Sequence, residues 1–207
     1  MLKKLNRKQV MAGGIGLLVG TLIILGIRFV TYQPEKGVHY HANFAVYLNG
    51  QREEFKDIFY YIGGESCTGE NDHEMTPYAR AHMHDRVNDV VHVEDEAVTW
   101  GQFFQNVGWV VDPKVIRTPD KVLLADSSNK VSFMLNGEKV DNIVSRVIGD
   151  KDRLLVDFGP TSNADLEKEF VTMASNAEQY NNSPDSGTCG GAMQDKNSWR
   201  DRLKQML

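Results

Sequence analysis

"FAVYLNGQREEF" (residues 44–55) and "VSFMLNGEKVDN" (131–142) read alike: an apolar stretch, then Leu-Asn-Gly, then a charged return. Asn-Gly best supplies the two left-handed positions of a tight hairpin turn, so each segment predicts a β-hairpin. Between them "TWGQFFQNVGW" (99–109) breaks the alternation. Thr99 can cap a helix there that turns Phe103, Phe104 and Val107 inward and stops near Gly108. "RLLVDFG" (153–159) adds a strand ending at Gly159-Pro160. Hairpin, helix, hairpin is the order of a β-grasp-like sheet with one packed helix, so the expected class is α+β and β-rich.

The hairpins set the outer boundaries. A β-rich domain is expected over 38–160, and 161–207 is read as a C-terminal helix and tail. In "ADLEKEFVTMASNAEQY" (164–180), Leu166, Phe170, Met173, Ala177 and Tyr180 fall at helical spacing. "WRDRLKQML" (199–207) reads as a short amphipathic helix. The echo between the hairpins reflects turn chemistry and implies no duplication.

The N-terminus belongs to another solvent. Lys3, Lys4, Arg7 and Lys8 precede a run from Val10 to Ile27 without a charge. As a helix it rises about 27 Å, close to the roughly 30 Å of a bilayer's hydrocarbon core. Residues 1–31 are therefore expected to be a basic cytoplasmic segment and an uncleaved transmembrane anchor. Arg28, Phe29 and Tyr32 would sit at the far interface, 32–37 would be a linker, and the remainder would be extracytoplasmic at the cell membrane. A cleaved signal peptide is the alternative, although the run is long for one and no small-x-small site follows.

Of the 23 basic residues, five lie within 1–28, where there is no acid, so residues 29–207 carry a net charge of about −10. That excludes nucleic acid as the expected partner and suits cations. The two cysteines, Cys67 and Cys189, both lie in glycine-rich stretches. In an oxidising compartment they would form a disulfide; the rival reading makes Cys67 a thiolate metal ligand ahead of the histidines.

All six histidines lie between His39 and His92. Residues i and i+2 of a strand share a face, so His39 with His41, His82 with His84, and His92 with Glu94 form three two-toothed combs. Imidazoles packed together cannot all be protonated, and a bound divalent transition metal takes their neutral nitrogens instead. Imidazole with one carboxylate suits Zn, Cu, Ni or non-haem Fe rather than Ca or Mg, with Zn or Cu the leading expectation. Asp85, and Glu74 nearby in sequence, are candidate carboxylates for orienting an imidazole. His73 reads as exposed, and Met75 and Met83 as packing residues.

Familiar catalytic patterns fail. His-x-His-x-Asp-His needs acid at 86 and histidine at 87, where Arg86 and Val87 stand. A zincin helix from His73-Glu74 needs histidine where Pro77 stands. No nucleophile elbow or phosphate-binding loop occurs. No catalytic residue is assigned.

His39-Tyr-His41 entering "YLNG", Cys67, His82-Met-His84-Asp85, His92-Val-Glu94 and Thr99-Trp-Gly-Gln-Phe103-Phe104 together resemble a family. It is a largely uncharacterised group of membrane-anchored extracytoplasmic prokaryotic proteins with HxH…C…HxHD…HxE…TxGxFF motifs. The resemblance covers about residues 38–160; it implies a metal site and supplies no reaction.

The function expected is thus a membrane-anchored domain that binds a transition metal through His39, His41, His82, His84, His92 and Glu94, for metal acquisition, buffering or sensing. One alternative is a metal-dependent enzyme with Glu94 or Asp85 as general base, which needs a concave pocket beside an open coordination position. Another is an adhesion or assembly module with pH-sensitive histidines spread over an exposed surface. The sequence names no protein partner.

Overall fold

The computed structural model describes residues 6–32, 38–61, 77–83, 86–183 and 199–204. They form two units, one from the chain ends and one from the stretch between. In the first, Asn6 caps helix α1, Arg7–Thr31, through a reciprocal pair of bonds with Gln9. It is the one described helix long and apolar enough to cross a membrane, and it could be an anchor or a signal sequence. A short terminal helix, Trp199–Lys204, joins this unit, where the Arg202 guanidinium donates to the Phe29 carbonyl (3.0 Å).

The second unit is α+β, and its larger sheet has seven strands. Its strands are β1 (Tyr40–Leu48), β2 (Gln51–Arg52), β3 (Ala81–His82), β4 (Val90–Val93), β8 (Lys130–Leu135), β9 (Glu138–Val140) and β10 (Arg153–Gly159). They run in the order β3-β4-β1-β10-β8-β9, with β2 also on β1. The parallel β1–β10 pair lies at the centre and the other pairs are antiparallel, the β-grasp-like arrangement expected. Both Asn-Gly turns hold left-handed backbone, at Asn49 (φ 54°) with Gly50 (77°) and Asn136 (54°) with Gly137 (87°).

The two faces of β1 divide the interior. Phe44, Val46 and Leu48 point to a core closed by helix α2 (Trp100–Asn106), which contributes Trp100, Phe103 and Phe104. As expected Thr99 caps α2, exchanging bonds with Gln102. Gly101 permits the approach: a Cβ there would stand 2.5 Å from the Val144 carbonyl oxygen. On the opposite face Ala45, Met134 and Leu155 meet Leu166, Phe170 and Met173. Burial on both faces explains why β1 reads as a nearly unbroken apolar run.

Three features differ from the sequence reading. Only Gln51 and Arg52 return along β1, opposite Leu48 and Tyr47. The chain then leaves the edge and turns Phe55 (φ 41°) into the core against Phe44 and Trp109, freeing Tyr40–Asn43 to pair with β4. Second, β5 (Val110–Asp112), β6 (Val115–Arg117) and β7 (Val122–Leu124) form a separate three-stranded sheet whose first hairpin was not anticipated. Third, the helix expected over 164–180 is two, α3 (Asn163–Thr172) and α4 (Ala177–Asn181). The buried Asn43 side chain is the reason. Its oxygen accepts from the backbone N–H groups of Asn176 and Ala177 (both 3.0 Å), and its amide donates to Asn176 Oδ1 (2.6 Å). A continuous helix would keep Ala177 N–H in its own ladder.

Candidate metal centre

The strand register brings the histidines together. His92 on β4 stands opposite His41 on β1 and, on its other side, opposite His82 on β3. Three imidazoles thus form a row across three antiparallel strands, on the face of the sheet that α4 overlies. His39 lies two residues before His41 and Glu94 two beyond His92, so the alternation of strand side chains adds both to the same face. The ring centroids of His92 lie 4.7 Å from His41, 4.9 Å from His39 and 5.0 Å from His82.

This is interior. His41 and His92 are 1% exposed, His82 3% and Glu94 8%. Burying so many polar nitrogens is costly unless each is hydrogen-bonded or ligated. His92 Nδ1 lies 2.9 Å from His41 Nε2, and His92 Nε2 lies 3.1 Å from Glu94 Oε1. Two groups have ligand atoms within 4.8 Å of one another, His39 with His41 and His92, and His82 with His92 and Glu94; each could hold a metal ion.

The C-terminal segment orients the centre. Asn181 Oδ1 accepts from the backbone N–H of His41 (2.8 Å) and meets His41 Nδ1 at 2.9 Å. The same amide donates through Nδ2 to Asp150 Oδ1 (2.7 Å), which assigns its orientation. His41 therefore carries its proton on Nδ1 and turns Nε2 toward the cluster. The Tyr180 ring covers His41 at 5.7 Å. On the other face of β1, burial first, then the charges of Asp152 and Asp150, push the Tyr40 phenol above its ordinary value.

Of the residues expected at the site, His39, His41, His82, His92 and Glu94 converge. His84 and Asp85 lie outside the described residues, as do Glu74, His73, Met75 and the Cys67–Cys189 pairing. Met83 is fully buried in the main core. Asn181 and Asp150 were not anticipated: 140 residues separate Asn181 from His41, and no local pattern marks it. The spread of exposed histidines that a pH-sensitive interface requires is not what His41, His82 and His92 form.

A second titratable pair lies toward α3. Asp157 on β10 is fully buried, and burial raises its pKa against the opposing pull of the Thr161 hydroxyl. Burial, then the charges of Asp157 and Asp165, push Glu169 of α3 up to about 7. Two surface concavities among the described residues lie away from the histidines. One is formed around Arg117–Val122, the other between Arg80 and the α2 residues Gln102 and Asn106. No family model, curated protein or solved structure matches the chain.

Proposed function

We propose that this protein is a membrane-anchored, extracytoplasmic metal-binding protein. A divalent transition metal, Zn or Cu, is held by His41, His82 and His92 with His39 and Glu94, for acquisition, buffering or sensing of that metal. The observation that carries the reading is the row of three buried imidazoles in register on adjacent strands, joined by one buried carboxylate. Neutral nitrogen with a single carboxylate favours these metals over Ca and Mg, which take oxygen. Burial of the cluster favours holding an ion over turning over a substrate. The basic residues ahead of the uncharged run from Val10 to Ile27 support the orientation, and the motif resemblance supports the compartment.

The test is metal analysis of the full chain in detergent, purified without a histidine tag and exposed to Zn2+ and Cu2+. Wild type is expected to retain metal after desalting, and His82→Ala/His92→Ala to lose it while keeping its circular dichroism spectrum. Equally negligible metal in both proteins overturns the proposal.

A further inference from the structure

We infer that the cluster is built for two ions, with the ring of His92 as the bridge between them; this rests on the metal-binding reading above. The argument begins with strand order. β1 and β3 flank β4 on opposite sides, so His41 and His82 approach His92 from opposite directions. The nitrogens of the ring are divided accordingly. Nδ1 faces His41 Nε2 at 2.9 Å, while Nε2 faces Glu94 Oε1 at 3.1 Å.

The in-plane bonding directions at an imidazole's two nitrogens diverge. An ion on Nδ1 therefore lies on the far side of the ring from one on Nε2, and no single ion of ordinary radius reaches both. The five side chains resolve into two spheres of three ligands that share His92: His39, His41 and His92, and His82, His92 and Glu94. A tetrahedral ion with bonds of about 2.0–2.1 Å spaces its ligands about 3.3 Å apart, so both measured edges need only a small opening. Each sphere leaves a position for a further donor.

The spheres differ in chemistry. The first is all nitrogen, and the Asn181 bond aims His41 Nε2 into it. The second adds the Glu94 carboxylate and is the harder of the two. A second ion there would take the place of the remaining ring N–H proton of His92. The resulting imidazolate and the Glu94 carboxylate together offset part of the charge of the two cations, as burial demands.

The experiment is a count and a spin measurement on the full chain in detergent. After loading with Zn2+ or Co2+ and passage over a chelating resin, two ions per chain are expected. His39→Ala and His82→Ala are each expected to retain one, with the circular dichroism of the wild type. In the Cu2+-loaded protein the imidazolate couples the two spins, so the EPR signal integrates to well under the copper content. A single ion in the wild type overturns the bridge and leaves metal binding intact; none overturns both. Two ions with a full, uncoupled signal place the second elsewhere, such as on surface carboxylates, and also overturn the bridge.

Discussion

Replacing Asn181 by alanine separates the proposed metal centre's orientation from its ligands. The side chain touches no ion in the proposed geometry; it accepts from His41 twice, at the backbone N–H (2.8 Å) and at Nδ1 (2.9 Å), and donates to Asp150 (2.7 Å). Truncation removes three bonds, each worth about 1 kcal/mol net. It also leaves the His41 ring able to exchange tautomers and rotate. Loss of such an orienting partner commonly lowers metal affinity by about 10–100-fold, which is about 1.4–2.7 kcal/mol. Competition for Zn2+ against a chromophoric chelator at neutral pH reads the change directly. Asn181→Asp keeps an acceptor oxygen for His41 while placing a carboxylate against Asp150, so it should recover part of the affinity. If Asn181→Ala binds Zn2+ as tightly as wild type while its apo melting temperature falls, the amide is structural only and the reasoning fails.

The other predictions concern the scaffold. Glu169 has its pKa raised from 4.5 to about 7, so its stabilising contribution is complete below 4.5 and is lost as pH rises through about 7. Wild type should therefore weaken relative to Glu169→Gln across that interval. Taken at face value the shift amounts to about 3 kcal/mol, and solvent screening at this partly exposed residue reduces it to about 1. Urea unfolding on either side of the interval checks this, and a pH-independent difference between the two proteins refutes it. Gly101→Ala must push a Cβ into the Val144 carbonyl, 2.5 Å away, and should cost at least about 2 kcal/mol in the same assay. Asn43→Ala strands the Asn176 and Ala177 N–H groups and should cost about 2–4 kcal/mol. It should also weaken Zn2+ binding, because α4 carries Asn181; unchanged Zn2+ affinity would break the link between helix docking and the site.

What could be read from the sequence was what short range encodes. The Asn-Gly turns, the Thr99 cap and the pairing of His92 with Glu94 on one face each depend on residues within three positions of one another. Strand neighbours were out of reach. Nothing in "VVHV" says that it lies between His41 and His82, and the chain's departure at Phe55 left the edge of β1 for it. The break before α4 was equally hidden. Met173 and Ala177 keep the apolar rhythm across it, while the cause, Asn43, sits 133 residues away. The hairpin at Val110–Arg117 turns on Pro113-Lys114, a pair without the glycine or asparagine signal that marked the other two.

The parallel pairing of β1 with β10 joins the two ends of the domain's chain. His41 itself pairs with His92 on β4, while residues 43–48 of the same strand register against residues 153–158 and Asn181 aims the His41 ring. Such long-range closure is slow, and during synthesis it waits for almost the whole domain to emerge. An ion taken up by the proposed centre would find no preformed pocket on the growing chain and would bind the finished fold.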